Sequence, residues 1–188
     1  MVTIRSVRLA HDGWLKLRVA TLSGDDGVEF NREIEDHGPA VAVLPYDAQR
    51  RVALLVKLPR APVLFKGETL TFLEAPAGIR EANEDPAACA RREAMEEVGV
   101  QLDHLDEAGH TWSMCGVSTE RMHLFLAPYT EARRTAKGGG LAEEHENIVV
   151  VEVPLADLRD MADRNVLDDM KTLCLVQTLR LRRPELFA

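Results

Sequence analysis

From Trp14 to Leu22 (WLKLRVATL) apolar and other side chains alternate, the period-two pattern of a strand with one buried face. Asp12-Gly13 before it and Ser23 to Gly27 (SGDDG) after it supply turn residues, and Val28 to Ile34 resumes the strand pattern. Ala40 to Leu44 (AVAVL) and Val52 to Val56 (VALLV) are continuous apolar runs, as strands buried on both faces require. Pro45-Tyr46-Asp47 and Gln49-Arg50-Arg51 are expected to form the polar turn of a central hairpin. At residue 85 the period changes. Asp85 suits an N-cap, Pro86 the first helical position and Gly99 the C-terminal stop, while Ala87, Ala90, Ala94 and Val98 share one face. Arg121 to Pro128 and Ile148 to Val153 return to strand patterns, and Leu155 to Met161 and Asp168 to Arg182 read as helices. Gly138-Gly139-Gly140 reads as a flexible loop. Strands, one bounded helix, more strands and terminal helices predict a layered α/β or α+β fold rather than a doubly wound one.

At 188 residues the chain has the length of one domain, and 46% hydrophobic with 29% charged residues is ordinary globular usage. Thirty-one acids against 23 Lys plus Arg give −8, which disfavours a nonspecific binder of nucleic-acid backbone but not an anionic substrate that brings a metal ion. Cys89, Cys115 and Cys174 are odd in number and lack CxxC spacing, so neither a disulfide framework nor a cysteine zinc site is expected. Cys115 is read as a small packed residue rather than a nucleophile, since no activating histidine motif accompanies it. No signal-peptide core and no run of 18 apolar residues is present, which predicts a cytoplasmic protein with no membrane partner.

The helix at 85–98 carries Glu93, Glu96 and Glu97 within about a third of its circumference. Arg92 can partner Glu96 at i+4, whereas Glu93 and Glu97 are a like-charged i,i+4 pair that nothing else on the helix offsets. Such a face is ordinarily just solvated. Its context points elsewhere: Gly78, Glu84, Arg92, Glu93, Ala94, Glu96, Glu97, Gly99 and Val100 fill the pattern G-x5-E-x7-R-E-U-x-E-E-x-G-U, with U apolar. At average residue usage a chance match in a chain this long is rarer than roughly one in a million. The pattern is the signature of the Nudix hydrolases, and the chain resembles that family from about Val28 to Leu181.

The resemblance implies an α/β/α sandwich with a mixed sheet (residues 38–188) and an N-terminal strand-rich segment (1–37) used in homodimerisation. It also implies a magnesium site, with manganese as the alternative metal. By the family pattern the ligands are Glu93, Glu96 and Glu97, the carbonyl of Ala77, and Glu146 as a transient ligand. Arg92 and Glu84 would brace the loop and helix. Several segments resemble the ADP-ribose pyrophosphatase and GDP-mannose hydrolase branch: Arg32-Glu33 with His37-Gly38 before AVAVLPYD, Val56 to Arg60, the E-x-P-A-G run Glu74 to Gly78, Gly116 to Glu120, and Gly140 to Ile148. By that resemblance Arg60, Glu74 and Glu120 meet substrate, and Arg32 and Glu33 act at the substrate site of a neighbouring subunit or at the dimer interface. Glu144 is the first candidate for general base, ahead of Glu146 and then His145. The branch's Ser-Pro-Gly is replaced here by Met114-Cys115-Gly116, which should loosen that loop and leaves base and sugar preference open.

The implied activity is metal-dependent hydrolysis of a nucleoside diphosphate sugar, of the ADP-ribose or GDP-mannose type, to a nucleoside monophosphate and a sugar phosphate. The competing class is a Nudix-like sensor that binds the nucleotide sugar without turnover, for which a degraded box would be the usual sign.

Overall fold

The structure, a computed structural model, describes residues 1–68, 72–141 and 147–188. Nine strands and four α-helices are found among them: β1 (Thr3–Asp12), β2 (Lys16–Ser23), β3 (Glu29–Asp36), β4 (Ala40–Asp47), β5 (Val52–Lys57), α1 (Ala61–Phe65), β6 (Ala77–Ile79), α2 (Pro86–Val98), β7 (Asp106–Trp112), β8 (Arg121–Pro128), β9 (Val149–Pro154), α3 (Leu155–Asp163) and α4 (Met170–Arg182). They make an α/β fold with two sheets. One is a three-stranded antiparallel meander in the order β1-β2-β3, and the other runs β7-β8-β4-β5-β9 with β6 joined to β4. The chain divides into two compact units, Met1–Ala40 with His110–Met122, and Val41–Gly109 with His123–Ala188.

The central pair β4 and β5 is antiparallel, as the two apolar runs predict. The expected turn, however, starts three residues late. Pro45, Tyr46 and Asp47 belong to β4 and are buried, because Tyr46 continues the buried run and pairs with Ala53. The Asp47 carboxylate begins the turn by accepting from the backbone N–H of Gln49 and Arg50, at 2.9 and 3.0 Å. In the larger unit Val41, Val43, Leu54 and Val56 pack with Cys89, Ala90, Ala94 and Val98 of α2. The alternate positions Ala42, Leu44, Ala53 and Leu55 are equally buried, so both faces of the hairpin are covered. The α4 helix starts at Met170, not at Asp168, since Asp169 serves as its N-cap.

The local signals at α2 are realised in full. Asp85 accepts from the N–H of Ala87 and Ala88, Pro86 occupies the first turn, and Gly99 ends the helix at φ 71°. The glycine triplet, expected as a loop, is a loop whose backbone is tied to the end of α2. Gly139 N–H donates to Glu97 O at 2.8 Å and Gly140 N–H to Glu96 O at 3.0 Å, so the triplet satisfies carbonyls that the end of α2 leaves open. A Cβ on Gly138 would lie 2.3 Å from Glu97 O, and its φ is +68°, so glycine is required there. Among the described residues no helix is long and apolar enough to cross a membrane.

Candidate active site

The α2 caps fix where its acids point. Glu93 and Glu97, one turn apart, are 8% and 4% exposed, whereas a merely solvated acidic face would be open to water. Glu93 lies over Gly78: a Cβ there would come within 1.9 Å of Glu93 Oε1. That close approach explains the glycine, whose backbone is ordinary extended strand. Glu97 accepts from the N–H of Ala77 at 3.2 Å. Ala77, Gly78, Glu93 and Glu97 are thereby brought together, and Glu96 stands half-exposed on the next position of the same helix.

Arg92 ties this face to the loop before it. Its guanidinium donates to both oxygens of Glu84 at 3.0 and 3.2 Å, to Ile79 O at 3.3 Å, to Glu96 at 3.1 Å and to Glu93 at 2.7 Å. The i+4 pair with Glu96 is the expected one. The bond to Glu93 was not foreseen: it arises because Arg92 turns toward the loop and passes the neighbouring carboxylate, so Glu93 is partly offset after all. These hydrogen bonds from Arg92 bring the Glu84 carboxyl down to about 2 against a smaller opposing effect of burial, and they push Arg92 above its ordinary range. Beside them, burial pushes the Cys89 thiol up to about 12, which makes it a neutral packing group.

The side-chain donors here are carboxylate oxygens, which suit a hard divalent cation. Among the described residues no three acidic, histidine or cysteine side chains converge as a finished metal cage. Glu144, His145 and Glu146 lie outside the described residues.

Arg60 and Glu74 are joined directly. Arg60 Nε and Nη2 donate to the two oxygens of Glu74 at 2.9 and 2.8 Å, and the Lys171 ammonium lies 2.5 Å from Glu74 Oε2. Burial favours the neutral acid, but Arg60 and Lys171 outweigh it and hold the Glu74 pKa below its usual value. Lys171 was not singled out in the sequence, and no local pattern could have marked it: it is 97 residues from Glu74.

The remaining candidates stand in the smaller unit. Arg32 and Glu33 are exposed on β3, with the Arg32 guanidinium 4.7 Å from the centre of the Phe30 ring. Glu120 is held by His37 Nε2 at 2.9 Å, and the other ring nitrogen of His37 meets Glu35. Burial disfavours a charged ring, but the hydrogen bonds to Glu35 and Glu120 together raise the His37 pKa above its usual value. The loop before Glu120, expected to be loosened by Met114-Cys115, is tied down at its far end. Glu35 N–H donates to Val117 O at 2.8 Å, Thr119 N–H to Glu35 O at 2.9 Å, and the Thr119 hydroxyl to Asp36 at 2.8 Å. Cys115 is exposed rather than packed, because it sits in the turn closed by Ser118 N–H on Met114 O.

Similarity to known proteins extends over most of the chain. A family model described as the NUDIX domain matches residues 36–174. A GDP-mannose pyrophosphatase of Cronobacter sakazakii is 33% identical over 180 residues, covering 93% of both chains. One of Escherichia coli O1:K1 / APEC is 29% identical over 185 residues, covering 96% of this chain and 95% of its own. A solved structure titled as that of an ADP compounds hydrolase superposes with a TM-score of 0.78 over 98% of this chain and 95% of its own, at 18% identity, which speaks for the fold alone.

Proposed function

The chain belongs to the Nudix family, and from that premise we propose that it is a cytoplasmic hydrolase of the pyrophosphate bond in nucleoside diphosphate sugars. GDP-mannose and ADP-ribose are the first substrates, and a nucleoside monophosphate and a sugar phosphate are the products. The observation that carries the reading is the burial of Glu93 and Glu97 against Ala77 and Gly78 on a complete box. Two carboxylates one helical turn apart, held against the same stretch of backbone, form an oxygen donor set of the kind a hard divalent cation takes.

Glu93, Glu96, Glu97 and the Ala77 carbonyl would hold magnesium, or manganese in its place, with Glu146 as a transient ligand. Such an ion neutralises pyrophosphate charge and makes phosphorus more open to attack. Arg92 and Glu84 hold the helix against its loop. Arg60, oriented by Glu74, would grip a phosphate through its planar guanidinium. Glu144 or Glu146 would take the proton from the attacking water as its oxygen bonds to phosphorus and the bridging P–O bond breaks. Glu120 would contact substrate. We assign residues 1–37 to a homodimer contact, with Arg32 and Glu33 placed to serve the neighbour's site or the interface. Support for these roles is the order of the matching segments along the chain.

Phosphate-coupled hydrolysis of GDP-mannose, ADP-ribose, UDP-glucose and NADH with magnesium tests the proposal. Turnover of either of the first two, lost in Glu97→Gln, is expected. Absence of turnover on the whole panel, with a nucleotide sugar still raising the melting temperature, would replace the enzyme by a sensor.

A further inference from the structure

The E-x-P-A-G run is held from behind by the start of α4. Thr172, fully buried, accepts from Ala75 N–H at 2.6 Å and donates its hydroxyl hydrogen to Asp169. Asp169 caps α4 by accepting from Thr172 N–H at 3.0 Å, and its other oxygen lies 2.9 Å from Lys171 Nζ. Lys171, with a side chain only 13% exposed, reaches on to Glu74 at 2.5 Å. An alternating chain of charge results: Asp169, Lys171, Glu74, Arg60. On its other side Glu74 is clamped to β5 by both backbone bonds with Val56, at 2.8 and 2.9 Å, and Pro76 O accepts from Val43 N–H at 2.9 Å.

We propose that Asp169, Lys171 and Thr172 are positioning residues that set the backbone leading into Ala77 and, through Glu74, the orientation of Arg60. The part concerning phosphate rests on the function proposed above; the part concerning the backbone does not. The physical case is one of charge. Glu74 is buried beside two cations, and Lys171 meets the same Glu74 oxygen as Arg60 Nη2. Lys171 thereby helps keep the carboxylate ionised and fixed as the acceptor that aims the Arg60 guanidinium. Stability alone gives no reason for this design, since a buried ion network is seldom better than apolar packing of the same volume.

Lys171→Met, Lys171→Arg and Thr172→Val test the proposal, each with kinetics, melting temperature and amide hydrogen exchange. In Lys171→Met, KM for the nucleotide sugar is expected to rise about tenfold with kcat changed less, and Lys171→Arg to recover most of the loss. In an Arg60→Gln background the same Lys171→Met step should cost less than about twofold, because the effect passes through Arg60. Thr172→Val should speed exchange at Ala75 in particular. An unchanged KM, or a full multiplicative loss in the Arg60→Gln background, overturns the role toward Arg60. Unchanged exchange over Glu74–Ala77 in every variant overturns the buttress. A wild-type protein inert on all nucleotide sugars sinks the functional reading and the KM prediction with it, while exchange still decides the buttress.

Discussion

Gly78 shows how little room the site leaves. A methyl group there would meet Glu93 Oε1 at 1.9 Å and Cδ at 2.2 Å, and the atoms in the way are the end of a flexible side chain. Gly78→Ala should therefore fold, with unchanged circular dichroism, while Glu93 swings away from its position. A displacement of about an ångström at a reacting centre can cost on the order of 10²-fold, and steady-state kinetics on the nucleotide sugar should show a kcat loss of that size. His37 offers a second test at the same scale. Its pKa is raised, so its contribution to stability is complete below the unfolded value near 6.5 and is lost as pH rises through the folded value. NMR titration of the ring should give a midpoint above 6.5 that drops in Glu120→Gln; a midpoint below 6.5 would mean that desolvation outweighs the two carboxylates.

Among the elements, α2 is held at both ends by different chemistry, and the two ends should fail differently. Asp85→Ala removes an acceptor from two N–H groups and should cost about 1 kcal/mol, a melting shift of roughly 2–4 °C at this size. Turnover should survive, because the acids lie more than one turn further along. Gly138→Ala pushes a Cβ against the Glu97 carbonyl in a left-handed backbone and should cost about 1–2 kcal/mol from the conformation alone. Its damage falls at the Glu97 end, so activity should drop more than in Asp85→Ala; thermal melts paired with kinetics separate the two. The same helix marks what the sequence discloses. Its N-cap, proline and glycine stop are signals within a few residues of one another, and they predict its bounds to the residue. The anchoring of the glycine triplet is not legible because its hydrogen-bond partners, Glu96 and Glu97, are some 40 residues back in the chain. Lys171 escapes notice for the same reason, being an ordinary lysine at a helix start until Glu74 is placed beside it.

On the scale of the whole molecule the open question is what covers β1. The sheet signal of the first 40 residues is legible as turns and alternation, but β1 itself, TIRSVRLAHD, has no apolar run, and only its pairing with β2 from Thr3 to Asp12 reveals it. All ten of its residues are exposed, including Ile4 at 59%, Val7 at 49% and Leu9 at 47%. An edge strand that offers unpaired backbone groups and apolar side chains to solvent invites pairing with another chain, and proteins ordinarily cover or charge such an edge. The proposed homodimer would cover it. Equilibrium sedimentation should then give twice the 20.9 kDa chain mass, and Val7→Lys with Leu9→Lys should return the single mass without unfolding the larger unit. If Glu33 or Arg32 serves a neighbour's site, the monomeric variant should also lose turnover, and mixing it with an excess of Glu97→Gln protein should not restore it. A wild-type chain that sediments as a monomer at every concentration would remove the dimer and leave β1 to be covered by some other partner. A dimer that survives both lysines would place its contact elsewhere on the chain.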